Sequence, residues 1–281
     1  QHRAGGHVSE QVGAEAGQIQ EKQSIGHAAE CTLGRIGLEG EVWMDVEAVL
    51  LPAHLSEAQV RGRTVVVFDV LRATTTMAYA LRAGVAQIRP FGSLQEAAEA
   101  AGRFDGPRLL CGEVRCQRPE GFDLGNSPSG FDAALHAGRT VFMATTNGTR
   151  AIMAAGNAAA LLAGSLVNAA ATAAAAVRAG LDVTLLCAGT QGEPAMEDLI
   201  GCGAVLERMG DAARPANDLA LIALRLFLQA REDLVSALVS TAGGRNIRAA
   251  GLQADIPDCA RLDALDVVCR VVGDPARVVR D

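Results

Sequence analysis

From Arg63 onward, short aliphatic or β-branched runs alternate with longer segments that place apolar residues at helical spacing. Thr64 to Phe68 is a continuous β-branched run and predicts a strand covered on both faces. Ala73 to Ala83 follows with helical spacing and stops at Gly84. Val85 to Arg89 predicts the next strand, closed by Pro90, and Ser93 with Glu96 predicts a capped helix from Leu94 to about Arg103. Leu109 to Gly112 is a short strand that opens into a Gly-, Pro- and Asn-rich loop, Glu113 to Gly130. The rhythm then repeats with strand Thr140–Ala144, helix Gly148–Ala155, strand Ala159–Ala163 and helix Val167–Ala179, the last stopped by Gly180. Strand Asp182–Cys187 and helix Met196–Met209 come next; residues 216–250 read as mostly helical, and Leu265–Val272 returns to strand character.

This alternation predicts an α/β fold, a three-layer α/β/α arrangement with a largely parallel or mixed sheet. In such folds ligands sit at the carboxyl ends of the strands, so the chemistry is sought there. Residues 1–43 are rich in Gly, Gln, Glu, Ala and His without apolar periodicity, and are expected to be a flexible tail or an extended leader rather than a domain. Residues 44–281 are expected to form one domain, or two α/β subdomains.

Composition narrows the function classes. A net charge of −7 argues against a general nucleic-acid binder. No run reaches the length of a membrane span, and a cytoplasmic protein is expected. The seven cysteines are odd in number and widely spaced, which suits reduced thiols, with Cys187 and Cys202 as small core residues. Lys22 is the sole lysine, so the body has no P-loop or Schiff-base lysine and must bind anions with Arg, hydroxyls, backbone N–H groups or a metal.

Four strand-end segments carry the candidate chemistry. In Asp69-Val70-Leu71-Arg72-Ala73-Thr74-Thr75-Thr76 a carboxylate ends a strand, and an Arg and three hydroxyls open a helix. The long loop holds Glu113, Asp123, Asn126 and Ser127, with two carboxylates suited to Mg²⁺. Thr145-Thr146-Asn147-Gly148-Thr149-Arg150 repeats the pattern of hydroxyl, amide, glycine and Arg at a strand-to-helix turn. Gly189 to Glu193 is followed by Glu197 and Asp198 at a helix start. Each segment alone is also compatible with plain helix capping.

Several known phosphatase chemistries are missing. Neither Cys111 nor Cys116 has an Arg six residues on, no Arg-His-Gly stands at a strand end, and Leu71 occupies the place of the second Asp of aspartyl-phosphate enzymes. Outside the leader the histidines are His54 and His136, the latter placed on a helix face.

The Asp69–Thr76 segment, Gly121 to Pro128 and Thr145 to Thr149 stand in the order seen in 2-phosphosulfolactate phosphatases, which this chain resembles over roughly residues 44–273. Gly164 to Ala169, Glu197-Asp198 and Gly243 to Asn246 add to the resemblance. It implies Mg²⁺-dependent hydrolysis of 2-phospho-3-sulfolactate, a small phosphorylated anion, to 3-sulfolactate and phosphate, a step of coenzyme M biosynthesis in methanogens. The residue roles are a separate expectation, drawn from side-chain chemistry. Asp69, Glu113 and Asp123 would hold the metal, with Glu197 and Asp198 as further ligands. Arg72, Thr74, Thr75, Asn147, Gly148 and Thr149 would bind the phosphoryl group, Asn126 would orient water or substrate, and Arg150 or Arg115 would meet a second anionic arm. Water attack is the expected route, with Asp69 as covalent nucleophile the competing one. A different phosphate-ester hydrolase, a phosphotransferase and a non-catalytic anion-binding module stay open as other functions. A homodimer is a further expectation.

Overall fold

The computed structural model describes Arg35–Ile36 and residues 42–281. The chain runs β1 (Arg35–Ile36), β2 (Val42–Val49), β3 (Thr64–Phe68), α1 (Ala73–Arg82), β4 (Gln87–Phe91), α2 (Leu94–Gly102) and β5 (Arg108–Gly112). It continues through α3 (Ala133–His136), β6 (Thr140–Ala144), α4 (Gly148–Ala154), β7 (Ala160–Gly164), α5 (Ala169–Ala179), β8 (Val183–Cys187) and α6 (Met196–Met209). The remaining elements are β9 (Ala213–Pro215), α7 (Asp218–Ala230), α8 (Leu234–Ser240), α9 (Ala242–Ala249), α10 (Asp255–Cys259), β10 (Cys269–Val272) and β11 (Arg277–Arg280). Of the segment expected to be a tail, β1 and the start of β2 are described as strands; the rest lies outside the described residues.

The strands form one sheet in the order β1-β2-β8-β3-β7-β10-β11-β4-β6-β5, with β9 beside β2. Two parallel sets, β2-β8-β3-β7 and β4-β6-β5, arise from the alternating helices. The hairpin β10–β11 joins them through antiparallel pairing to β7 and β4, so the sheet is mixed. Pro90 lies inside β4 rather than closing it. Its neighbour β11 pairs with β4 only at Val278 and Ile88, so no ladder bond on that side asks for the missing N–H.

Burial shows how the sheet is covered. Phe68, Leu185, Ile200, Val205 and Phe227 join one face of the first set to α6 and α7. Val67, Met77, Leu81, Val141, Met143 and Ile152 form a second core that draws on both parallel sets and on α1 and α4. Helix α1 lies in this second core, and Ala73 to Ala78, Ala80 and Leu81 are all buried. Asp69, after β3, and Gly148, after β6, lie in contact, so the carboxyl ends of strands from the two sets meet. The Gly164–Ala169 motif is structural: the Asn168 amide oxygen accepts from Ser165 N at 2.9 Å and its amide nitrogen donates to Val267 O at 3.1 Å, fastening β7 to the C-terminal segment. Among the described residues no helix is long and apolar enough to cross a membrane.

Candidate active site

Asp69 follows β3 and points at two helix starts. Its Oδ1 accepts a hydrogen bond from Ala73 N at 3.2 Å, and Gly148 N also donates to it. A Cβ added at Gly148 would lie 2.7 Å from Asp69 Oδ2 and 2.7 Å from Ala73 Cβ, so only glycine lets α4 approach this closely. Glu113 follows β5; its Oε2 accepts from Cys116 N at 2.8 Å and its Oε1 from Thr146 N at 2.7 Å. Glu197, in the first turn of α6, accepts from Gly243 N and lies beside the Thr241 hydroxyl, which donates to Leu238 O. The Gly243 backbone approaches so closely that a Cβ there would stand 2.0 Å from Glu197 Oε1. Among the described residues, Glu197 Oε2 and the buried Asn126 Oδ1 meet no donor.

A cleft of about 180 Å³ is lined by Asp69, Arg72, Glu113, Asn126, Asn147 and Asn246, with Arg115, Gln191 and Gly243 among the remaining wall residues, and Glu197 abuts Gly243. Burial, and then the like charges of Glu113 and Glu197, raise the Asp69 carboxyl to about 6, against the bonds from Ala73 and Gly148. Glu197 is likewise raised, first by burial. Arg72 is 2% exposed and donates from Nη1 to Asp255 Oδ2 at 2.5 Å and from Nη2 to Cys116 O at 2.7 Å. The peptide between Leu71 and Arg72 is cis.

The structure revises several sequence expectations. Thr74 and Thr75 are buried and donate their hydroxyls to Asp69 O and Val70 O, so they shape the start of α1 and do not line the cleft. Thr149 is spent in the same way, on Thr145 O. The expected anion cradle at 145–149 is already filled by the protein itself: Thr146 N serves Glu113, Gly148 N serves Asp69 and Thr149 N serves the Thr145 hydroxyl. Arg150 is exposed and donates to Gly92 O at 3.2 Å, away from the cleft. Asp123 is exposed, and its Oδ2 accepts from Leu110 N at 2.7 Å. Asp198 accepts from Val70 N at 2.9 Å and Gly189 N at 3.1 Å, one bond to each oxygen, so it ties strand-end loops together. Burial, and then Cys187, Asp69 and Glu197, hold its carboxyl well above the usual carboxylate range. His136 packs against Phe131, and its Nδ1 accepts from Asp132 N. Sequence reading passed over Asp255, whose place at a helix start looks like ordinary dipole complementation.

A larger hollow of about 920 Å³ lies at the amino ends of β3 and β7, lined by groups such as Ile152, Leu161 and Val271. Asp69, Glu113 and Arg72 converge on the smaller cleft instead, which makes it the candidate site. Among the described residues no three His, Cys, Asp or Glu side chains are grouped so as to hold a metal by themselves.

Residues 49–274 match the family model described as 2-phosphosulpholactate phosphatase. A Symbiobacterium thermophilum protein named probable 2-phosphosulfolactate phosphatase is 38% identical over 213 residues, spanning 75% of this chain and 91% of that protein. Proteins of the same name from Carboxydothermus hydrogenoformans and a Synechococcus strain are 35% and 37% identical; each match spans 80% of this chain, and 92% and 95% of the respective relatives.

Proposed function

Because the chain belongs to the 2-phosphosulpholactate phosphatase family, we propose that its strand-end cleft hydrolyses 2-phospho-3-sulfolactate, or a closely similar phosphorylated hydroxy acid, with the help of Mg²⁺. One observation carries this reading: Asp69, Glu113 and Glu197 lie close enough to interact through their charges, beside an Arg72 whose charge is already met by Asp255. Such a cleft repels a phosphate dianion unless a cation joins it. The donor set fits Mg²⁺, which takes one or two carboxylates and fills its remaining positions with water and substrate phosphate oxygens. Asp69 and Glu113, both in the cleft wall, would hold the ion, with Glu197, whose Oε2 is unpartnered, close to Asp69. When bound, the ion would polarise the phosphoryl oxygens and make a coordinated water more acidic.

The chain's own residues supply the rest. Arg72 presents its unspent N–H donors to the phosphoryl oxygens, the planar fork suiting a tetrahedral oxyanion. Asn126, with an open amide oxygen, orients the attacking water or the substrate hydroxyl region. Arg115 and Asn246 stand in the cleft wall for the second anionic arm, a sulfonate or carboxylate. The cleft is below the roughly 300–1,000 Å³ of pockets that take drug-sized ligands, which suits a small substrate.

The test is a panel of phosphorylated hydroxy acids with a sulfonate, a carboxylate or no second arm, assayed for phosphate release. Release should be fastest with 2-phosphosulfolactate, and equal rates for substrates lacking the second arm would remove the assigned specificity. Within the panel, Arg115→Ala should raise KM by about tenfold for doubly anionic substrates, as expected for loss of one charge-assisted contact. Arg150→Ala should leave KM and kcat unchanged, because that guanidinium binds Gly92 O on the outside.

A further inference from the structure

We propose that Asp255, the first residue of α10, is the positioning residue that holds Arg72 in phosphoryl-binding geometry and ties it to the loop Glu113–Gly130; this rests on reading the cleft as a phosphoryl site. One carboxylate makes both connections. Its Oδ2 accepts from Arg72 Nη1, and its Oδ1 accepts from Ser127 Oγ at 2.5 Å. The same loop supplies the Cys116 carbonyl that receives Arg72 Nη2 at 2.7 Å. Arg72 and Asp255 are 2% and 4% exposed, so the pair is shielded from solvent and held in one geometry.

Helix α10 is itself registered against the helix that follows Arg72. The Tyr79 hydroxyl donates to Asp258 O at 3.4 Å, and Thr75 bonds to the Cys259 side chain. Arg72, Thr75 and Tyr79 are spaced three and four residues apart, so one face of α1 and its cap docks on Asp255, Asp258 and Cys259. A guanidinium carries five N–H donors, and two of them are spent on Asp255 and Cys116. Arg72 also lines the cleft, and the unspent donors are the ones a phosphoryl group meets. Without Asp255 the side chain regains the rotamer freedom of a long cation, and the loop that carries Asn126 loses its anchor at Ser127.

The experiment compares wild type with Asp255→Asn and Ser127→Ala. Binding of inorganic phosphate in the presence of Mg²⁺ is measured by calorimetry, kcat and KM on 2-phosphosulfolactate by phosphate release, and folding by thermal melting. Asp255→Asn keeps the shape and removes the charge. It should weaken phosphate binding by about tenfold and lower kcat/KM by roughly 10²-fold, the scale of a misplacement near 1 Å. Ser127→Ala leaves the ion pair in place; it should melt like wild type and weaken phosphate binding by about threefold, which keeps the test decisive even if Asp255→Asn fails to fold. Phosphate binding that is unchanged or tighter in the folded variants, with only the melting temperature altered, would reduce Asp255 to a structural staple and overturn the proposal. Wild type that binds no phosphate would instead sink the phosphoryl-site reading, and this proposal with it.

Discussion

Asp69→Asn is expected to lower phosphate release by roughly 10²–10⁴-fold, the range over which a positioned acid–base group contributes, and further if the residue also holds the cation. The substitution keeps the side chain's size and one oxygen to accept from Ala73 N, so the start of α1 should survive. It also removes the buried carboxylate whose proton affinity is raised by burial and by the charges of Glu113 and Glu197. The variant should therefore melt no lower than wild type while losing activity. Rate assays paired with thermal melting check this, and an active Asp69→Asn protein would remove Asp69 from the chemistry.

Gly203→Ala is expected to act on the fold alone. In an exposed helix, Gly to Ala stabilises by about 1 kcal/mol. At Gly203, in α6, the new Cβ would lie 2.0 Å from Ala223 O and 2.7 Å from Phe227 Cβ, both on α7. The nearest atom is backbone, so relief requires the two helices to separate, and forced overpacking of this kind costs about 1–3 kcal/mol and occasionally more. The clash outweighs the propensity gain, and the variant should be less stable by about 2 kcal/mol. Denaturant unfolding measures it; a stabilised protein would show that the α6–α7 contact yields easily.

The sequence made the elements near the site legible because they carry unambiguous local patterns. Thr64–Phe68, Thr140–Ala144 and Met196–Met209 appear with the expected bounds, since unbroken aliphatic runs and a long helical period leave little choice. The β10–β11 hairpin was half hidden: Arg277–Arg280 is four residues, too short for a period to show, yet it joins the two parallel sets. At the site, Asp69, Arg72, Glu113, Asn126 and Asn147 were legible as polar residues at strand ends, and all of them line the cleft. What sequence could not tell was how each group is spent. Thr74 and Thr149 look like phosphate ligands by type, but their hydroxyls close local backbone bonds. Asp198 looks like a partner of Glu197, but the two neighbours on α6 point to different tasks. Asp255 meets Arg72 from 183 residues away, and no local pattern announces such a contact.

The proposed Mg²⁺ dependence rests on the Asp69 and Glu113 carboxylates in the cleft wall and on the Thr146, Gly148 and Thr149 N–H groups, which the protein itself already uses. The most direct measurement is phosphate release from 2-phosphosulfolactate by protein stripped with EDTA, before and after Mg²⁺ is restored. Release should be lost on stripping and return with Mg²⁺. Undiminished release by the stripped protein, or none after Mg²⁺ is restored, would contradict the proposed dependence.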